Sequence, residues 1–144
     1  MIALWGILII LIILLIYVNI ITPPEYPIEV KQSQIHGRGV FAKRAIPSNS
    51  VIEVAPLIIF NRLDVKVGTI LRDYDIQHRD GKHAIMLGYA SLYNHSDIPN
   101  ASWEFNYSDE IEIRSTKDIA AGDEILVNYG SNYWTGNKVN KKNV

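Results

Sequence analysis

The chain opens with one continuous apolar run and then changes to short segments in which apolar and polar residues alternate. Residues 1–21 read MIALWGILIILIILLIYVNII, and no charged side chain precedes Glu25. A cleaved signal peptide would carry Lys or Arg before the run, and a buried helix would carry polar residues on one face. At about 1.5 Å of rise per residue, the run is roughly as long as a 30 Å bilayer core is thick. The pattern predicts a transmembrane helix over residues 1–22.

Basic residues flank this apolar run on one side only. None precedes it, and four follow it closely: Lys31, Arg38, Lys43 and Arg44. Cytoplasmic flanks of membrane helices are enriched in Lys and Arg. The sequence therefore predicts a single-pass membrane protein whose C-terminal domain faces the cytoplasm.

Beyond the anchor, the pattern predicts a mostly β domain at residues 28–134, between a Pro-rich linker at 23–27 and a polar tail at 135–144. Strands are predicted at 28–31, 39–42, 50–60, 111–116 and 124–127, the third interrupted by Pro56. A short helix is predicted near 71–76 and a helical turn near 89–93. Little helix is expected in this domain.

Charge and cysteine usage remove several classes of function. The formal net charge of −1 argues against a general nucleic-acid binder. Since the chain has no Cys, it has no disulfide, thiolate zinc site or cysteine nucleophile. The four histidines, at 36, 78, 83 and 95, are not paired at helical ligand spacing, so no metal site is predicted.

Three polar clusters carry the candidate chemistry, and each has a structural explanation as well. The stretch 35-IHGRGVFA-42 suits a hairpin turn or a close backbone approach to a ligand. In 91-SLYNHSDIPN-100, the Asn and His side chains could hold a polar ligand or tie neighbouring loops together. The aromatic residues of 128-NYGSNYW-134 could fill a core or line a cleft for a cation.

Taken in order, these clusters resemble the SET-domain protein lysine methyltransferases. G-R-G-V-F comes first, N-H-S-x-x-P-N follows, and a Gly-Asp-Glu turn and a strand lead to Y-G and Y-W. The likeness covers about residues 28–134 and is greatest to small stand-alone SET proteins without Cys-rich zinc modules. It implies a SET β-clip fold, in which the C-terminal segment threads beneath a loop. The segments of Asn94 and Tyr129 would then meet in a knot-like core.

The resemblance also implies the roles of individual residues. Tyr129 would be the tyrosine at the methyl-transfer centre, and Tyr74 and Tyr133 are candidates for the walls of the lysine channel. The remaining residues would contact S-adenosylmethionine: His36, Gly37, Arg38, Gly39, Asn94, His95 and Trp134. The implied reaction moves a methyl group to the ε-amine of a lysine in a protein substrate, a histone or another protein.

Orientation and electrostatics would carry this chemistry. A free lysine has a pKa of about 10.4, so its amine must lose a proton before it attacks. A narrow aromatic channel beside a sulfonium favours the neutral amine, and no general base is evident in the sequence. Many SET enzymes carry another tyrosine after the GxG turn, but this chain has Glu53-Val54-Ala55-Pro56 there. The number of methyl groups transferred is therefore left open.

Other interpretations stay open beside this one. A membrane-tethered SET fold without catalysis could bind a protein partner, although it would have no need of Asn94, His95 and Tyr129 together. A homodimer is compatible with the sequence and is not favoured by it. Asn94, Asn100 and Asn106 match the glycosylation pattern of an outward-facing domain. A glycan on Asn94 would block the implied cofactor site, which again favours a cytoplasmic domain.

Overall fold

The architecture is described from a computed structural model, which covers residues 6–14, 26–66, 68–106, 109–131 and 133–134. In these residues the prediction of a mostly β domain is confirmed. The described part of the chain contains nine strands: β1 (Ile28–Gln32), β2 (Arg38–Ala42), β3 (Val51–Phe60), β4 (Asp75–Gln77), β5 (His83–Met86), β6 (Asn94–His95), β7 (Ala101–Phe105), β8 (Glu110–Ser115) and β9 (Glu124–Val127). Short 3-10 turns connect several of them, at Arg62–Asp64, Ile70–Asp73, Arg79–Gly81 and Ala90–Leu92.

The strands form two sheets. One has the order β1-β2-β9-β6, and the other has the order β4-β5-β3-β8-β7. Neighbouring strands run antiparallel except β6 and β9, which are parallel. Strand β6 precedes β9 by about thirty residues in the chain but lies beside it in the sheet. This parallel pair joins the segment after Tyr93 to the C-terminal segment that contains Tyr129.

The alternation of apolar residues explains how the strands build the core. In β8, Ile111 and Ile113 are buried while Glu112 between them is partly exposed, and β9 repeats the pattern with Ile125 and Val127. Successive side chains of a strand point to opposite faces, so each strand contributes one face to the core. Burial of these β-branched side chains stabilises each one by about 1.5–3 kcal/mol.

The predicted interruption at Pro56 is wrong, because β3 runs through this residue. Residues 51–56 of β3 pair with β8, and residues 57–60 pair with β5. Pro56 lies where one partner strand ends and the other begins, and its carbonyl still accepts a hydrogen bond from Leu87 N–H. A central strand therefore tolerates proline here, since the amide that proline lacks falls at the change of partner.

The predicted helix near 71–76 is also corrected. Residues Ile70–Asp73 form a 3-10 turn, and Asp75–Gln77 form β4, which pairs with β5. The predicted turn near 89–93 is present as the 3-10 turn Ala90–Leu92. Strands β4, β5, β6 and β7 were not predicted, because they are short and mixed in polarity and depend on hydrogen bonds to neighbouring strands.

The predicted anchor and tail fall mostly outside the described residues. Residues 6–14 form a helix, while the rest of 1–22 and the tail 135–144 lie outside the description. No helix in the described ranges combines the length and the apolar character needed to cross a membrane. Within the linker, only Tyr26 and Pro27 are described.

Candidate active site

A cleft of about 1060 Å³ is lined by residues from both sheets and brings parts of all three sequence clusters together. Seven of the ten predicted site residues line it: His36, Gly37, Arg38, Tyr74, Asn94, Tyr129 and Tyr133. The other three, Gly39, His95 and Trp134, lie behind this lining and contact residues that form it. The cleft is therefore the candidate active site.

The GxG turn enters the cleft through its backbone. Gly37 has a φ of +49°, and a Cβ placed there would meet nothing within 4 Å. The left-handed conformation favours glycine, and the missing side chain leaves this backbone accessible. Gly39 begins the buried part of β2, where a Cβ would overlap Glu124 Oε1 and lie 3.0 Å from Asn94 Nδ2. The two glycines thus have different roles: Gly37 faces open space, and Gly39 leaves room for the side chains of Glu124 and Asn94.

Asn94 joins three segments through its side-chain amide. Its Nδ2 group donates to the carbonyls of His36 and Arg38, each at 3.2 Å, and to Glu124 Oε1 at 2.7 Å. Asn94 is buried, with 6% of its surface exposed, so these contacts replace the water that the amide would otherwise bind. The amide therefore fixes the GxG turn against β6, where the two meet at the cleft.

Glu124 is a site residue that sequence reasoning missed. Its Oε1 accepts from Asn94, and its Oε2 accepts a hydrogen bond of 2.9 Å from the Ser33 hydroxyl. Strand register explains the contact, because Glu124 pairs with Phe41 of β2 and so lies near Gly39. The only sequence signal was the place of this acid at the start of a strand after a Gly-Asp turn.

Tyr129 points its hydroxyl at the segment before β6. The hydroxyl donates a hydrogen bond of 2.7 Å to the carbonyl of Tyr93, and the Tyr129 N–H donates to His95 Nδ1 at 3.1 Å. Burial raises the pKa of Tyr129 well above its usual value of 10, and nearby Tyr133, Tyr74 and Glu124 add to the effect. The phenol therefore stays protonated in this site and acts as a hydrogen-bond donor.

His95 and Trp134 support Tyr129 from behind. His95 is 7% exposed, and its ring lies 5.3 Å from that of Tyr129 and 4.9 Å from that of Trp134. Trp134 stacks on Tyr129 with centroids 6.1 Å apart and planes at 19°. The His95 side chain belongs to a hydrogen-bonded and aromatic network, one of the two interpretations that its sequence allowed.

The predicted channel residues lie next to Tyr129. The Tyr133 ring packs edge-on against Tyr129 at 4.7 Å, and its hydroxyl donates to the carbonyl of Asp73 at 3.1 Å. Burial raises the pKa of Tyr133, with Asp73 and its neighbours adding to the shift. Tyr74 lines the same cleft and is 43% exposed, so it lies toward the entrance. The three tyrosines thus line one part of the cleft.

A buried carboxylate holds the Tyr93 segment in place. Glu53 of β3 is 4% exposed, accepts the Tyr89 N–H at 2.8 Å and accepts the Tyr93 hydroxyl at 3.2 Å. Gly88, with a φ of +67°, leaves room for this carboxylate, because a Cβ there would lie 2.5 Å from Glu53 Oε1. Burial raises the pKa of Glu53 despite these donors. Glu53 thus lies on the strand where many SET enzymes carry another tyrosine. By binding the Tyr93 hydroxyl, it helps to position the Tyr93 carbonyl that Tyr129 contacts.

Comparison with known proteins identifies the family of the chain that contains this site. The SET domain profile matches residues 37–130, which include the GxG turn, the Asn94 segment and Tyr129. The chain belongs to the SET-domain family. SET-domain proteins of this kind are protein-lysine N-methyltransferases, and this chain is an enzyme of that class. The predicted SET fold is therefore confirmed over residues 37–130, while the domain bounds 28 and 134 and the threading of the C-terminal segment beneath a loop stay predictions.

Named relatives of this SET domain agree with the assignment. Histone-lysine N-methyltransferase, H3 lysine-37 specific, from Schizosaccharomyces pombe is 30% identical over 112 residues, which is 75% of this chain and 76% of the relative. Histone-lysine N-methyltransferase SET9 from Gibberella zeae is 30% identical over 124 residues, which is 79% of this chain and 19% of that protein. The crystal structure of a candidate histone methyltransferase from Plasmodium falciparum has a TM-score of 0.66 and 32% identity, and the match covers 76% of this chain and 98% of the other.

Proposed function

We propose that this SET enzyme transfers a methyl group from S-adenosylmethionine to the ε-amine of a lysine in a protein substrate. The observation that carries the proposal is the hydrogen bond from the Tyr129 hydroxyl to the Tyr93 carbonyl, in the cleft where Asn94 binds the GxG turn. When bound, S-adenosylmethionine supplies an electrophilic methyl group on a cationic sulfur. The remaining work of the site is to bind, to orient and to exclude water.

The residues of the cleft fit a cationic cofactor of this size. The Gly37 backbone is open to close approach, and Asn94 holds the GxG turn rigid. The Tyr93 carbonyl and the aromatic faces of Tyr129 and Tyr133 present partial negative charge, which attracts a cation. His36, Arg38 and Gly39 would contribute backbone contacts, and His95 and Trp134 would support the cofactor side from behind Tyr129.

Tyr129 orients the reaction without exchanging a proton. Because its pKa is raised far above neutrality, the phenol keeps its proton, and its hydroxyl stays directed at the Tyr93 carbonyl. The two oxygens then define where the amine nitrogen and the transferred methyl group must align. Positioning of reacting groups at such a fixed geometry is a large part of catalysis in displacement reactions.

The tyrosine-lined channel also explains how the amine becomes a nucleophile. A charged ammonium entering between Tyr74, Tyr129 and Tyr133 loses its hydration, and it would be repelled by the positive charge of a bound sulfonium. Both effects favour the neutral amine. The proton therefore leaves to solvent before the amine is fully enclosed, and no side chain in the channel needs to accept it.

A histone is the first substrate to test. The relatives in Schizosaccharomyces pombe and Gibberella zeae carry names that specify histone lysines. The match to the Schizosaccharomyces pombe protein covers 75% of this chain and 76% of the relative. The class of substrate follows from the family, whereas the particular lysine and the number of methyl groups depend on the residues around the channel.

The proposal is tested by binding and turnover with the full chain in mild detergent. Calorimetry measures S-adenosylmethionine affinity, and a labelled methyl donor measures transfer to histones and to a mixed protein extract. Asn94→Ala should weaken binding by about tenfold or more, because the GxG turn loses its anchor. Tyr129→Phe should lower turnover by about 100-fold while affinity changes little, since the donor acts on the reacting groups.

Matched variants serve as controls. Asn106→Ala and Tyr26→Phe alter exposed residues outside the cleft and should leave affinity and turnover unchanged. If the folded wild-type chain binds no S-adenosylmethionine, the methyl-transfer proposal fails. A catalytically inactive, membrane-tethered SET fold that binds a protein partner would then be the better account.

We propose further that residues 1–22 anchor the enzyme in a membrane with the SET domain on the cytoplasmic side. Support comes from the uncharged run before Glu25 and from the helix at 6–14, whose apolar side chains at 7–14 are 48–59% exposed. The basic residues that follow the run favour this orientation, and S-adenosylmethionine is a cytosolic metabolite.

The anchor is tested in cells with a tagged chain. Resistance to alkaline carbonate extraction and digestion of the SET domain by protease added to intact organelles are the expected results. Extraction of the chain with carbonate would exclude a transmembrane anchor, and protection of the domain would reverse the orientation.

A further inference from the structure

The active-site cleft extends beyond the three tyrosines to a second polar region, which the mechanism above does not use. This region is formed by the 3-10 turn Arg79–Gly81 with the residue before it, His78, and by the facing strands β5 and β7. Its lining side chains include His78, Arg79, His83 and Phe105. The site is thus contiguous with the lysine channel but chemically different from it.

His78 is the central observation in this region. Both of its ring nitrogens are buried and have no hydrogen-bond partner among the described residues, while its ring packs edge-on against Phe105 at 4.8 Å. Buried polar atoms in folded proteins are nearly always hydrogen-bonded, because an unpaired one costs about 1–3 kcal/mol. An imidazole that lines a cleft with both nitrogens unpaired is therefore suited to receive a polar group from a ligand.

The surrounding charges select the sign of that group. The guanidinium of Arg79 lies 5.7 Å from the Phe105 ring centre and donates one hydrogen bond to the Phe105 carbonyl, which leaves further N–H donors for a ligand. Asp75 faces the region too, but Arg72 and His83 lie 3.2 and 3.1 Å from its carboxylate. Asp73 also lines the cleft, at its Tyr133 end, and Asp80 belongs to the same turn as Arg79 but is not among the lining residues. The charged side chain that lines the cleft beside His78 is therefore the Arg79 guanidinium.

A row of aromatic contacts limits the distance between His78 and Tyr129. Phe105 packs against Trp103 with centroids 5.8 Å apart, and Trp103 Nε1 donates to the carbonyl of Asn128, the neighbour of Tyr129. An extended peptide advances about 3.3 Å per residue. The steps of 4.8 and 5.8 Å from His78 to Trp103, with the further step to Tyr129, make a path no longer than about five residues of extended peptide.

We infer that His78 and Arg79 form a subsite for an acidic side chain of the substrate, within about five residues of the target lysine. A carboxylate there would accept from the imidazole and from the guanidinium, and charge-assisted bonds of this kind are the stronger class of hydrogen bond. The inference rests on the proposed methyltransferase function and adds a class of substrate, a lysine with a nearby Asp or Glu.

A peptide series tests this subsite. Each peptide has a central lysine in a neutral background and carries a single Glu, or its neutral isostere Gln, at one position within about five residues on either side. Both direct binding and methyl transfer are measured on the full chain. The expected result is a preference of about tenfold for Glu over Gln at one position, seen in binding and in kcat/KM.

Variants of the chain assign the preference to the two residues. His78→Phe keeps the packing against Phe105 and removes both nitrogens, and Arg79→Met keeps the length of an exposed side chain and removes its charge. Each should bring the ratio of Glu to Gln close to one. Arg44→Met, which removes an exposed arginine outside the cleft, should leave the ratio unchanged.

The outcomes separate the subsite from the proposed function. Methyl transfer without any preference for Glu, or a preference that persists in both variants, would overturn the subsite and keep the methyltransferase. Selective binding of the Glu peptide without methyl transfer would support the subsite and count against the proposed reaction. Equal binding of all peptides would exclude the subsite whether or not the enzyme turns over.

Discussion

At the scale of single residues, the GxG side of the cleft depends on a carboxylate that is not among the residues lining the cleft. Glu124 accepts from both Asn94 and Ser33, and Gly39 provides the space in which it sits. Asn94 then has only one orientation in which its amide reaches the two carbonyls of the GxG turn. The geometry of the turn is therefore determined by side chains on three different strands or loops.

Gly39→Ala should weaken S-adenosylmethionine binding by about tenfold, because the new methyl group displaces Glu124 and with it the Asn94 amide. Calorimetric titration measures the effect. Gly122→Ala is the matched control: its φ of +89° strains any other residue, but a Cβ there meets nothing within 4 Å. It should cost about 1 kcal/mol of stability with unchanged affinity. Equal affinity losses in the two variants would contradict this explanation.

At the scale of secondary structure, strand β9 is fixed by a side chain as well as by its neighbours. Asn100, the last residue of the N-H-S-x-x-P-N motif, donates to the carbonyl of Glu124 at 2.8 Å and accepts from the Leu126 N–H at 2.7 Å. The side-chain amide thus makes the two hydrogen bonds that a backbone residue of a neighbouring strand would make to β9. We infer that Asn100 of this motif helps to fix the register of β9.

Asn100→Ala should lower the free energy of unfolding by about 2 kcal/mol, since two part-buried backbone groups of β9 lose their partners. Urea denaturation measures this loss, and the affinity for S-adenosylmethionine should fall with it because Glu124 belongs to the same strand. Asn106→Ala, at an exposed site after β7, should change stability by less than about 0.5 kcal/mol. A stable Asn100→Ala variant would show that strand pairing alone fixes the register.

The elements that could be predicted from the sequence are those whose pattern is local. Strand β8 was predicted because its apolar and polar residues alternate, and the Tyr129 segment because its motif resembles a known family. Strand β4 could not be predicted, since its residues Asp75–Gln77 have no strand pattern and become a strand only through pairing with β5. Glu124 and Glu53 were missed for a related reason, because their partners lie 30 to 40 residues away along the chain.

At the scale of the whole molecule, the buried ionisable groups govern how stability varies with pH. Burial raises the pKa of Glu53 and of Tyr93, Tyr129 and Tyr133. A group with a raised pKa in the folded state adds stability below its unfolded pKa and loses it as the pH rises through the folded value. For the tyrosines that loss begins above pH 10, outside the physiological range, whereas for Glu53 it begins above the ordinary value of 4.5.

The stability difference between wild type and Glu53→Gln should therefore fall as the pH rises from about 4 to about 8. The neutral amide does not titrate, and other groups cancel in the difference. Urea denaturation at several pH values measures it. A difference that grows with pH would show that the donors from Tyr89 and Tyr93 favour the charged carboxylate enough to outweigh its burial, contrary to the raised pKa.

The parallel pairing of β6 with β9 determines when the contacts of the candidate site can form during synthesis of the chain. Strand β9 is the last of the nine described strands to leave the ribosome, yet it separates β2 from β6 in the first sheet. Until it arrives, Asn94 has no Glu124 beside it and the Tyr93 carbonyl has no Tyr129 hydroxyl. Pairings between distant parts of a chain also form slowly. A growing polypeptide thus lacks both contacts of the candidate site until β9 and the Tyr129 segment after it have been made, so the site can assemble only after synthesis has passed Tyr129.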